Sequence, residues 1–172
     1  MQYFWMLDQQ GNIVDVLWVQ AFLMLGDYKT MHHPPLYHKR IRKFNTKETY
    51  PEQKLDNDLS QAVIAKGTTV FLRGQVSQDL DTRETVNLGD PKLQTRKTME
   101  NIDMLLKESG SCMDHVCRIV VYLTDIRYRE EVYKEMGLWL KGVFPCSTGI
   151  VVPALARPEW IVEIEVTAVI PD

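Results

Sequence analysis

Long hydrophobic runs are missing from this sequence. The apolar stretch from Ile13 to Leu25 is interrupted by Asp15 and Gln20 and falls short of the roughly 20 residues that a bilayer-spanning helix needs. No basic region precedes it, so it does not read as a secretory leader. Cysteine is scarce, and its count of three is odd, which fits a reducing compartment, here expected to be the cytoplasm. Cys112 and Cys117 with His115 between them form half of a zinc pattern, but no second pair completes it and the other histidines crowd at 32, 33 and 38. No metal is expected, and Cys117 reads as a packed strand residue. Gly67 and Gly74 lack phosphate-loop spacing and no dinucleotide fingerprint occurs, so no cofactor is implied. Excess positive charge is absent too. A formal charge of −3 and a pI near 5.8 exclude a nucleic-acid binder that relies on a broad positive field. The single basic run, Lys39-Arg40-Ile41-Arg42-Lys43, reads as a solvated linker.

What is present is enough for one domain with a substantial core, in 172 residues and 20.0 kDa. Gln10-Gly11-Asn12 predicts a small hairpin turn, and His32-His33-Pro34-Pro35 breaks any element that reaches it. From Gln61 to Val76, β-branched and aromatic residues punctuated by Lys66-Gly67 predict a second hairpin. A loop follows, bounded by Asp79-Leu80-Asp81 and Asn87-Leu88-Gly89-Asp90. Asp90-Pro91 then opens a helix with an N-cap and a first-turn proline. It is expected to run to about Ser109, with Leu93, Ile102, Leu105 and Leu106 toward the core, and to stop at Gly110. Val116 to Leu123 is a strand covered on both faces. Asp125 caps a second helix, about Tyr128 to Val143, with Val132, Met136, Trp139 and Leu140 buried.

Two strands finish the chain. In the last, Val162, Ile164, Val166 and Ala168 face one way, while Glu163, Glu165 and Thr167 face the other. Two carboxylates on one strand face need water or a partner, because an unpaired buried charge is costly. The order of elements predicts an α+β fold, a two-layer sandwich with two helices on one face of a mixed sheet.

Five blocks in register carry a family resemblance: Gln61-Ala62-Val63, Val70 to Val76, Thr98 to Ile102, Val120 to Asp125, and Phe144-Pro145 followed by Val162-Glu163-Ile164-Glu165-Val166. Over roughly residues 41 to 170 the sequence resembles the reactive intermediate deaminase family (Rid or RidA, formerly YjgF or L-PSP). The resemblance implies a chorismate-mutase-like two-layer fold and a homotrimer with a ligand cleft at each subunit interface. It also divides the chain into an extension, residues 1–40, and a Rid-like domain, residues 41–172. That extension is either an added element or the product of a start codon placed too far upstream, and removal of residues 1–38 is expected to leave folding intact.

The implied activity is cofactor-independent hydrolysis of reactive enamine or imine intermediates, with release of ammonia. In the family, an arginine two residues after the Phe-Pro proline grips the substrate carboxylate; here that position is Ser147. The family's tyrosine near the first strand becomes Leu59, its small polar residue before Gly-Gln becomes Arg73, and an asparagine of the post-strand loop becomes Arg127. The water-orienting glutamate persists as Glu163. Alternation on one strand would let Arg73 and Gln75 point at the same ligand, an anionic small molecule. The ordinary alternative is that Arg73 and Arg127 pair with Glu163, Glu165 or Asp125. Ser147 and Thr148 can offer hydroxyls to a ligand oxygen or serve the turn. Cys146 borders the same place but has no histidine base, which favours packing over nucleophilic attack. The competing functions are a catalytically silent homotrimer that binds a small anionic metabolite and, from the L-PSP name, a ribonuclease. The acidic pI and the lack of a histidine pair weigh against the last.

Overall fold

The computed structural model describes residues 38–172, together with the backbone of Met6–Leu7 and Ile13–Val14. Contacts divide the chain into two units, residues 1–33 and 34–172. In the first, Met6–Leu7 pairs antiparallel with Ile13–Val14, the pairing that a turn at Gln10-Gly11-Asn12 predicts. The turn itself, most of the stretch to Leu25, and His32-His33-Pro34-Pro35 lie outside the described residues. Among the described residues, no helix is long and apolar enough to cross a membrane.

The second unit begins with strands β1 (Lys39–Asn45) and β2 (Asp58–Ile64), which pair antiparallel. β3 (Thr68–Gln75), helix α1 (Pro91–Glu108), β4 (Val116–Leu123), helix α2 (Arg129–Trp139), β5 (Cys146–Val151) and β6 (Val162–Ile170) follow. The last four strands form one sheet in the order β3-β6-β4-β5, antiparallel except for the parallel pair β4–β5. Both helices cover one face. Ile102 and Leu106 of α1, and Val132 and Met136 of α2, are fully buried against Val121, Ile164, Val166 and Ala168. Each large aliphatic side chain buried in this way stabilises the fold by about 1.5–3 kcal/mol.

The hairpin expected from Gln61 to Val76 does not form. β2 pairs back onto β1 and β3 pairs onto β6, so the two strands belong to different sheets. Gly67 makes the change of partner possible. Its φ of +134° is open to glycine, and a Cβ there would overlap the backbone carbonyl of Ile170. The ribbon β1–β2 is tied to the sheet at both ends. Ser60 donates its N–H to Pro145 O (3.1 Å) and its hydroxyl to Phe144 O (2.7 Å). Arg40 donates to Val116 O (2.9 Å) and Asp114 O (3.1 Å), and His38 Nε2 lies 2.6 Å from Val169 O. His38 and Arg40 precede the boundary expected at Ile41, yet both are buried. The expected solvated linker is therefore part of a strand: Arg40 turns inward because backbone carbonyls at the start of β4 accept its guanidinium.

Helix α1 opens as its residues predict. Asp90 Oδ1 accepts from Leu93 N at 2.8 Å, Pro91 occupies the first turn, and Gly110, with φ of +72°, lies just past the end. Leu93 is 38% exposed rather than buried. It falls on the side of the helix shared with residues 97, 100 and 104, away from the 95–99–102–106 stripe that meets the sheet. Asp125 caps a single 3-10 turn, Ile126–Tyr128, before α2, which ends at Trp139 rather than Val143. The chain then turns through Gly142 at φ of +80°.

Candidate functional site

The site is built on the sheet face that the helices do not cover. Cross-strand register puts Glu163 opposite Tyr122, and Glu165 opposite Val120. The two carboxylates are not equivalent. Glu165 lies 3.9 Å from Arg118 Nη1 and accepts from the Tyr122 hydroxyl at 3.4 Å. Glu163 has no hydrogen bond or ion pair among the described residues. Burial pushes its carboxyl above the usual carboxylate range, Arg73 draws it back down, and Glu165 adds a smaller upward push. The side chain lies across Gly74, where a Cβ would overlap Glu163 Oε1. Glu163 lines a hollow with Tyr122 and Leu155.

Arg73 and Gln75 do not share a face. The pairing shifts by one residue between Leu72↔Val166 and Gln75↔Ile164, and this bulge spoils the alternation expected along β3. Gln75 therefore turns to the helix side, where it is buried and donates Nε2 to Arg73 O at 3.0 Å. Arg73 stays exposed, within electrostatic reach of Glu163.

The Phe-Pro strand also splits by register. Ser147 pairs with Ile119 and Gly149 with Val121, both on the helix side, whereas Cys146 and Thr148 pair with Arg118 and Val120 on the Glu163 side. Ser147 Oγ is buried with no well-aligned hydrogen bond among the described residues. The nearby Tyr133 hydroxyl feels it: burial raises the Tyr133 pKa and Ser147 opposes that rise. Tyr133 also packs on Gly149, where a Cβ would overlap its hydroxyl. Ser147 and Thr148 thus cannot serve one ligand oxygen within a protomer. Arg127 is exposed, and both its Nε and Nη2 go to Asp125. Leu59 lies on the ribbon opposite Phe44. Cys146 is partly exposed near Arg40, and Cys117 is buried, with its pKa raised by burial.

Two features escaped the sequence reading. Gln94, fully buried in α1, donates to Glu159 O and accepts from Ile161 N, both at 2.9 Å. It thereby fixes the entry to β6 just ahead of Glu163. A glutamine inside a helix gives no sign of this in sequence. The second is a histidine pair: His38 and His115 have ring centroids 6.5 Å apart. His38 is held on Val169 O, and His115 Nδ1 lies 3.2 Å from Ser111 Oγ.

Fold and site together define a two-layer α+β protein with a half-buried carboxylate on its open sheet face. The profile of the family described as Endoribonuclease L-PSP matches residues 52–170, and the chain belongs to that family, which includes the Rid and RutC proteins. Protein DfrA of Myxococcus xanthus is 34% identical over 132 residues, 75% of this chain and 99% of its own length. A RutC family protein of Pyrococcus horikoshii is 35% identical over 112 residues, 63% of this chain and 84% of its own. Among solved structures, a conserved Rid family protein from Yersinia pestis superposes with a TM-score of 0.65 at 26% identity, covering 78% of this chain and 99% of that one.

Proposed function

We propose that the protein hydrolyses a reactive enamine or imine intermediate and releases ammonia, with Glu163 as the general base. The observation that carries this reading is the Glu163 carboxylate itself. It is half-buried, has no hydrogen bond or ion pair among the described residues, and is seated against the backbone of Gly74. A carboxyl held above its usual pKa is a better proton acceptor near neutral pH. Water adds to the C=N carbon, Glu163 takes the proton, and the nitrogen leaves as ammonia once reprotonated, giving a carbonyl product. Arg73 acts electrostatically on this carboxylate and would hold the substrate anion. With Ser147 in the family arginine's place, the preferred substrate is larger than 2-iminopropionate, or carries its anion further from the reacting carbon.

The open sheet face supports a homotrimer of about 60 kDa (3 × 20.0 kDa). Phe71 is 78% exposed there, on a strand whose outer edge has no partner strand among the described residues. In such an assembly Cys146, Thr148 and Arg127 would meet a neighbour's Arg73 and Glu163. Light scattering that reports a monomer across micromolar concentrations overturns the trimer.

The deciding measurement is ammonia release from a panel of imines generated in situ, with Glu163→Gln as the control. Turnover lost in the variant supports the hydrolase. Turnover of no imine by the wild type favours the second reading, a silent trimer that binds an anionic metabolite. The uncharged Ser147 beside Tyr133, in the place of the family's arginine, speaks for that alternative. For the ribonuclease, the histidines fall short: burial depresses the His115 pKa, and His38 is tied to the backbone.

A further inference from the structure

The cleft between the free edge of β3 and α1 holds groups that the hydrolytic reading does not use. It encloses 460 Å³, within the range of small-molecule sites. Its floor includes Asn101, which is 1% exposed. The Asn101 amide nitrogen donates to both Val76 O (3.2 Å) and Gln78 O (2.7 Å), which fixes the orientation of the amide. Asn101 Oδ1 is left buried with no partner among the described residues. An acceptor so placed costs about 1–3 kcal/mol unless a donor reaches it.

Arg73 and Arg83 line the same cleft, and neither has a carboxylate within ion-pair distance among the described residues. The loop that carries Arg83 is held firmly. Arg83 N–H donates to Asp79 O at 3.1 Å, and Gln78 Nε2 donates to Arg83 O at 2.8 Å. Asp79 Oδ1 in turn accepts from the backbone of Asp81 and Thr82. Asp81 and Glu108 also line the cleft and balance the two arginines, so the formal charge of the lining is zero. A net-neutral lining with both signs of charge and an apolar wall suits a zwitterion with an apolar body better than a simple anion.

We propose that this cleft binds a free amino acid with an apolar side chain. Its carboxylate lies on Arg73 and Arg83, its ammonium donates to Asn101 Oδ1, and its side chain packs on Leu80, Met104 and Leu105. The site is separate from the Glu163 hollow, but Arg73 serves both. A carboxylate held on Arg73 draws that guanidinium away from Glu163, so occupancy is felt there.

Calorimetric titration of the full chain with L-leucine as the probe tests this. Saturable binding is expected, with 4-methylpentanoate (no ammonium) and isoamylamine (no carboxylate) each at least about tenfold weaker. Arg83→Asn should weaken leucine binding by a similar factor without unfolding the loop, because asparagine tolerates the φ of +68° at that position. Met104→Asp should do the same by spoiling the apolar wall. Absence of saturation at millimolar leucine, 4-methylpentanoate that binds as tightly as leucine, or wild-type affinity in Arg83→Asn each overturns the proposal. Glu163→Gln should keep saturable leucine binding, no weaker than in the wild type because Arg73 is no longer drawn to a carboxylate there, so failure of this site and failure of the hydrolytic reading are seen separately.

Discussion

Gly74 and Glu163 occupy one space between them: the carboxylate of Glu163 lies where a side chain on residue 74 would begin. The glycine therefore sets the position of the acid. Gly74→Ala should keep the fold, because the displaced group is the tip of a flexible side chain, but should move the carboxylate by about an ångström. A displacement of that size costs roughly 10²-fold in a positioned reaction. Ammonia-release kinetics with a thermal melt on the same sample would check this. Undiminished turnover in Gly74→Ala would detach Glu163 from the chemistry.

Glu163→Gln should cut turnover by about 10²–10⁴, since the amide cannot accept a proton from water. The same variant should be more stable than the wild type at neutral pH. Burial raises the carboxyl's pKa in the folded state, so the folded protein binds that proton more tightly than the unfolded chain. Its contribution to stability is full below the unfolded value, about 4.3, and is lost as pH rises through the higher folded value. Melting curves of wild type and variant should coincide in acid and diverge toward neutral pH. Divergence in acid instead would contradict the burial argument.

Arg73→Ala should weaken binding of small carboxylates by about 1.5–3 kcal/mol, the usual range for a hydrogen bond to a charged group. It should also shift the acidic limb of the pH–rate profile upward, because Arg73 holds the Glu163 pKa down. A lower melting temperature with unchanged affinity and an unmoved profile would make Arg73 a structural residue.

A chain that begins at His38 keeps the ties that His38 and Arg40 give the ribbon, and one that begins at Ile41 loses these while keeping those of Ser60. Arg40 alone makes two hydrogen bonds to backbone carbonyls. Charge-assisted bonds contribute about 1.5–3 kcal/mol each, so the shorter chain should be less stable by at least about 3 kcal/mol in urea unfolding. Equal midpoints would show that the ribbon holds without them.

The sequence by itself determined the elements whose signals are local. Asp90-Pro91 and Gly110 mark the ends of α1 within a few residues of where they lie, because capping and proline geometry act over a single turn. The alternation Val162 to Ala168 put Glu163 and Glu165 on one face without reference to any other strand. Partner choice and register were decided only in three dimensions. β2 and β3 read as one hairpin, yet each pairs elsewhere, since the contact of Gly67 with Ile170 depends on residues about a hundred positions apart. A one-residue shift turned Gln75 away from Arg73, and strand pairing decided which of Ser147 and Thr148 faces the helices. In a sheet a slip of one position reverses which way a side chain points. The same long-range pairing gave Glu165 its neighbours Arg118 and Tyr122 and left Glu163 with no hydrogen bond or ion pair among the described residues.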